Sequence, residues 1–252
     1  MKKKCNFSLV VYELRNINGN LMPHFFGIVF PNIMCLLLVR VVGGQMPEDM
    51  HREVATSIML TMSLIMPMST MLLGYGCLYS TEIEKGIPIR MRLFGFHPAC
   101  EITAKIIAQL IFLTVTFLIF GIFQACVMDI LKPSLPSLLC LLASLYLLGI
   151  LFLVISHSIA AMCGKFSLTF GITMCLYFTF MILTGMMGIQ TDQLPQAMQT
   201  VARTLPMTYI SSDFIDFWQG GSYNFMPFLQ SFIFLGAVSG ILFMVSSHVG
   251  RK

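Results

Sequence analysis

The sequence predicts an all-α integral membrane protein with six transmembrane helices, an amphipathic helix before the first, and both termini cytoplasmic. Three observations predict it. First, the 252 residues are 57% hydrophobic and 10% charged, whereas a soluble domain carries about 25% charged residues, so polar surface is too scarce to cover a water-facing globule. Second, six apolar runs reach the ~20 residues that a helix needs to cross a hydrocarbon core roughly 30 Å thick. Third, Lys and Arg divide unequally between the segments joining these runs.

The chain opens MKKKCNFSLVVYELR. Its first apolar run is short and broken by Glu13 and Arg15, which excludes a signal peptide. Phe7, Val10, Val11 and Leu14 recur at i, i+3, i+4 and i+7 beside Lys2, Lys3 and Lys4. That single apolar stripe with a basic flank predicts an interfacial helix over residues 5–18 on the inner membrane surface. NINGN at 16–20 then turns the chain into the bilayer.

Spans are predicted at Met22–Val42, Ile58–Tyr79, Ile106–Val127, Leu138–Ala161, Phe166–Ile189 and Phe225–Ser246. Helices of this length satisfy their own backbone in lipid, and the alternating period of a membrane β-barrel is missing. Pro31 and Pro67 fall mid-span, where proline kinks or loosens a helix. With the N terminus inside, the inner segments hold 11 of the 15 Lys and Arg and 4 of the 11 acids, leaving +7 inside and −3 outside. Basic residues accumulate in short cytoplasmic loops, so topology accounts for the net +4 without invoking nucleic acid.

The segment 80–105, STEIEKGIPIRMRLFGFHPACEITAK, is the longest inner loop and holds seven of the 26 charged side chains. Gly86, Ile87 and Pro88 signal a turn. Ile89, Met91, Leu93, Phe94 and Phe96 then interleave with Arg90 and Arg92. Apolar knobs with a basic rim suit a groove in another protein; the same arginines also suit lipid phosphates. On the outer side, segment 190–224 carries Leu194, Met198, Val201 and Leu205 at helical spacing up to Pro206, followed by Tyr209, Ile210, Phe214, Phe217 and Trp218. An aromatic-rich amphipathic segment of this kind lies in, or re-enters, the outer interface, or forms a plain helical cap.

Several chemistries are excluded. No GxxxxGK[ST] occurs, because Ile159 stands where Gly164–Lys165 would need an earlier glycine. HExxH, GxSxG and CxxC are missing too, and the eight cysteines are scattered rather than framed for disulfides. The 21 methionines are spread as adaptable apolar filler, not as a copper path. No carboxylate or lysine falls near a span centre, which tells against an ion-driven carrier. His157 is expected to be the one titratable group buried in a span, more in keeping with helix packing than with a pathway. Six helices with no energy source need a partner that supplies work.

At this point the chain resembles the permease subunits of type-2 ATP-binding-cassette (ABC) transporters. Glu82, Glu84, Lys85, Gly86, Arg90, Pro98, Glu101 and Lys105 follow that family's charged loop, and Leu205–Pro206–Met207–Thr208–Tyr209–Ile210 with Asp213 its stretch before the sixth span. The resemblance implies that residues 1–252 form one permease domain. Two permeases would make a twelve-helix core above two ATPase subunits. It implies a coupling helix within residues 82–96, with Glu82, Glu84, Lys85, Gly86, Arg90, Arg92, Leu93 and Phe94 at the ATPase contact. Pro206, Tyr209 and Asp213 would form an outer re-entrant motif. It further implies no catalytic residue and no cofactor in this chain, ATP and Mg being bound by the partner ATPase, and a place in a bacterial cell membrane. A lining of Thr61, Ser63, Ser69, Thr70, Thr169, Thr173 and Thr179 among Phe and Met suits export of a hydrophobic or amphipathic cargo such as a drug, antimicrobial peptide or lipid-like molecule. A stand-alone six-span carrier or channel is the alternative.

Overall fold

A computed structural model describes residues 7–44, 46–47, 50–188 and 191–249. Lys2, Lys3, Lys4, Glu48, Asp49, Ile189, Gln190, Arg251 and Lys252, which enter the expectations above, lie outside the described residues. In chain order the helices are α1 (Phe7–Asn18), α2 (Leu21–Gly43), α3 (His51–Glu84), α4 (Ile87–Leu93), α5 (Pro98–Val127), α6 (Leu135–Cys163), α7 (Phe166–Leu183), α8 (Gln196–Ala202), α9 (Pro206–Ser212), α10 (Phe214–Trp218) and α11 (Phe225–Val249). No strand occurs among the described residues. Six of these helices, α2, α3, α5, α6, α7 and α11, are long and apolar enough to cross a membrane.

The predicted spans are right in number and order, but α3 and α5 run further than hydropathy suggests. α3 begins at His51 rather than Ile58, because Arg52 and Glu53 fill an exposed first turn. Its 34 residues give a rod about 51 Å long. α5 begins at Pro98, eight residues before the apolar run. His97 caps it, its Nδ1 accepting from the Ala99 amide at 3.2 Å, and Pro98 sits at the first helical position, where its missing N–H costs nothing. The expected long loop at 80–105 therefore shrinks to the short helix α4 and two turns.

α3 is the core of the bundle. Of its apolar window 83% is buried inside the protein, against 22–44% for the other five. It packs against α2, α6 and α7, and α11 packs on the outside of α6. The helices approach closely because small residues meet. A Cβ on Gly76 would lie 2.3 Å from Ser156 Oγ, and one on Gly27 2.8 Å from Thr70 Cγ2.

Both mid-span prolines sit beside π-helical turns. Phe25–Val29 precedes Pro31 and Met68–Gly74 follows Pro67. Proline cannot donate to the carbonyl four residues back, and the wider turn re-registers the ladder. Side chains take up freed or shared carbonyls. Asn32 Nδ2 donates to Ile28 O at 2.7 Å, and Ser156 Oγ donates across to Leu72 O at 2.7 Å. Gln124 on α5 donates to the buried Asn32 Oδ1 at 3.2 Å, a polar tie between two apolar helices.

Candidate functional site

Chemistry collects at the two ends of the bundle. At the end that holds α1, helix α3 stops at a turn where Lys85 N and Gly86 N donate to Thr81 O and Ile83 O. Gly86 adopts φ 68°, the left-handed conformation that glycine enters without a Cβ clash. The chain reverses into α4. Of its side chains, Ile89, Leu93 and the following Phe94 are 64, 82 and 67% exposed, with the exposed Arg90 and Arg92 between them. Arg90 donates to the Lys85 carbonyl, which ties α4 to the turn. Glu84 accepts from the Phe166 amide at 3.1 Å and so fixes the turn to the start of α7.

Glu82 is not part of this exposed face. It is 2% exposed and its Oε2 lies 2.6 Å from Lys105 Nζ. Lys105 also contacts Glu13 Oε1 at 2.7 Å and Glu101 Oε1 at 3.9 Å, while Asn16 Nδ2 donates to Glu82 Oε1 at 2.7 Å. Three carboxylates thus surround one ammonium, all of them buried. The expectation that His157 is the one buried titratable group within the spans is corrected: Glu82, Glu101 and Lys105 are buried there as well. The α5 pair was visible as Glu and Lys at i and i+4. Glu13 was visible as a charge interrupting an apolar stripe.

The same cluster explains how α1 lies. Its buried face is Leu9, Val10, Glu13 and Ile17, packed on Ala104, Ala108 and Phe112 of α5. The stripe expected to lie on lipid is turned, so that Phe7 is 73% exposed. Burial pushes the Glu13 carboxyl up to about 6, against the pull of the Lys105 ammonium; removing a carboxylate from water penalises its charged form. Nearby, His157 bonds the buried Tyr75 hydroxyl through Nδ1 at 2.8 Å and stacks on Tyr79 at 4.6 Å. That joins α3 to α6, a packing role.

The other end holds the aromatic-rich segment. Leu194 and Leu205 are buried, but Met198 and Val201, both on α8, are exposed, and the segment runs on as α9 and α10 after Pro206. Pro206 occupies the first turn of α9. The Tyr209 hydroxyl donates to Arg203 O at 2.8 Å, and the Tyr209 carbonyl accepts from the Asp213 amide and the Tyr223 hydroxyl. The three motif residues therefore lie along α9, with Pro206 at its start and Asp213 at its C-cap. Trp218 Nε1 donates to Leu131 O at 2.9 Å and locks this segment to the α5–α6 connection.

Two adjoining cavities open beside it, of about 650 and 320 Å³, sharing Ser57, Thr61, Gly185 and Ser211. The larger is polar, and the smaller is floored by Leu38, Val42, Ile58 and Met62 between α2 and α3. Of the hydroxyl residues expected to line a path, Thr61 faces these cavities. Ser63 faces a separate apolar cavity of about 510 Å³ between α3, α5 and α6. Ser69, Thr70, Thr169 and Thr173 are buried with their hydroxyls bonded to backbone carbonyls, and Thr179 is exposed on the bundle surface. Among the described residues, no group of three or more His, Cys, Asp or Glu is placed to hold a metal ion.

The family model described as ABC-2 type transporter matches residues 7–214. No curated protein and no solved structure matches the chain.

Proposed function

The chain belongs to the ABC-2 type transporter family, and on that premise we propose that it is the permease subunit of an ATP-driven exporter whose work enters through α4. It is a multi-pass membrane protein, and in bacteria such a protein sits in the plasma membrane. In this reading the α1 end faces the cytoplasm. A separate nucleotide-binding ATPase, carrying ATP and Mg, docks on α4. A second permease subunit completes the core, and the cargo is hydrophobic or amphipathic.

The observation that carries the reading is the surface of α4. Three large apolar side chains, Ile89, Leu93 and Phe94, stand mostly in the open beside two arginines, on and just after a seven-residue helix that starts at the Gly86 turn and ends at Phe94. An isolated apolar patch with a cationic rim at an aqueous end fits a groove in a protein partner. Helix α4 also follows α3, the most buried helix, across the single turn at Lys85–Gly86, so a push on it is passed to the middle of the bundle.

The test is the Arg90→Glu, Arg92→Glu double variant, co-expressed with its ATPase subunit. Reversing both charges at a docking rim brings like charges together, which costs several kcal/mol. Cargo-stimulated ATP hydrolysis is expected to fall to background while membrane insertion and the α1 packing persist. Unchanged stimulation removes α4 as the coupling element. Full transport by the isolated chain in liposomes without ATP would favour a stand-alone carrier instead.

A further inference from the structure

We propose that the paired cavity at the α8–α10 end is a binding site for an amphipathic cation whose charged head carries N–H donors. The inference deepens the export reading, on which it rests, by naming the cargo class and where it sits.

Shape comes first. The two compartments, about 650 and 320 Å³, fall within the size range of small-molecule sites. They meet at Ser57, Thr61 and Ser211, and their linings differ: hydroxyls and charges on one side, aliphatic side chains of α2 and α3 on the other. A molecule filling both must be polar at one end and apolar at the other.

The hydrogen-bond inventory then gives the head its chemistry. A hydroxyl has one donor and two acceptor sites. Thr61, Thr184, Thr208, Ser211, Ser212 and Tyr209 all donate their single hydrogen to backbone carbonyls: Ser57 O, Phe180 O, Ala202 O, Thr208 O twice, and Arg203 O. What these groups retain is lone pairs. Apart from the Arg203 guanidinium, the hydroxyl wall of the larger compartment thus offers acceptors rather than donors.

Charge points the same way. Asp192 and Asp213 line the larger compartment, and among the described residues no ion pair engages either carboxylate. Among the described residues Arg203 is the one cation on this lining, leaving an acidic excess. Acceptors with a net negative rim complement an ammonium or guanidinium with hydrogens to give, and they repel a carboxylate or phosphate head. Sequence reading missed this because Asp192, Asp213 and the hydroxyls lie apart in the chain, on α3, on α9 and in the connections on either side of α8 and after α9.

The test uses the purified full chain in nanodiscs of zwitterionic lipid, without ATPase subunit or ATP, and empty nanodiscs as blank. The probes are a dansyl-labelled alkyl primary amine and its N-acetyl derivative, which keeps the apolar part and removes the charge. The ammonium form is expected to bind roughly tenfold more tightly than the acetylated one, as a charge-assisted contact warrants. Asp192→Asn with Asp213→Asn, both exposed and near-isosteric, should erase that difference and leave the acetylated probe unchanged. Arg203→Gln should tighten the ammonium probe. Thr61→Trp, which fills the junction, should weaken both probes. Equal affinity of the two probes for the unmodified chain, or undiminished ammonium binding in the double Asn variant, overturns the proposal. Because no ATPase takes part, failure here leaves the coupling reading standing, and loss of coupling in the α4 variant leaves this site standing.

Discussion

Gly76 has no side chain because none fits. A methyl there would sit 2.3 Å from Ser156 Oγ, whose hydrogen is committed to the Leu72 carbonyl inside the π-helical stretch. Gly76→Ala must either rotate Ser156 and orphan that carbonyl or part α3 from α6. Overpacking of this kind costs about 1–3 kcal/mol. Thermal unfolding in detergent should drop accordingly. Adding Ser156→Ala should return part of the loss, since the next contacts, Thr173 Cγ2 at 3.5 Å and Ser156 Cβ at 3.6 Å, are ordinary van der Waals distances. The double variant still lacks one hydrogen bond, worth ~1 kcal/mol. Additive losses in the double variant would mean that the two side chains do not collide.

Helix α1 reads from sequence as a membrane-surface helix, and among the described residues it runs from Phe7 to Asn18. Its orientation was not legible, because periodicity reports which residues are apolar and not what waits across the interface. Lys105, 92 residues away, decides that Glu13 turns inward and Phe7 outward. The Gly86 turn and the exposed α4 surface were legible, since a Gly–x–Pro signal and alternating Arg and apolar residues are local. The His97–Pro98 cap was equally local, and it marks the true start of α5 eight residues ahead of the apolar run. The burial of Glu13 makes α1 docking depend on pH. Its carboxyl is raised from 4.5 to about 6 in place, so the docked state holds a proton that the undocked state releases between those values. Docking is therefore strongest below pH 4.5, weakens as pH rises toward 6, and stays at the weaker level above it. Moving the carboxyl from 4.5 to about 6 corresponds to about 2 kcal/mol. Amide protection factors over Phe7–Asn18, corrected for intrinsic exchange, should fall across that window. Glu13→Gln should make them flat in pH. A wild-type profile with no slope would mean that the cluster holds its protons equally in both states.

At the scale of the whole molecule, six crossings and their order were legible because membrane thickness alone sets the length of an apolar run. The central place of α3 was not, since buried and lipid-facing residues are equally apolar and only packing separates them. That centrality matters for the proposed mechanism. α3 carries Ser57 and Thr61 at the cavity end and stops at Glu84, two residues before the Gly86 turn into α4. One rod thus joins the docking surface to the cargo cavity, and its regular hydrogen bonding is interrupted only around Leu64 and the Pro67 π-helical stretch. A push at α4 reaches the cavity only as far as that interruption lets the two halves move together or flex in a defined direction. Pro67→Ala restores an N–H able to bond Ser63 O and removes the reason for the wide turn. Assembly with the ATPase and basal hydrolysis should persist, because α4 is untouched. Cargo moved per ATP in proteoliposomes should fall about three- to tenfold, the range that a change along a coupling element produces. If the ratio is unchanged, the π-helical turn serves packing alone and the stroke travels by another helix, with α7 next in line through the Glu84 contact to its first turn.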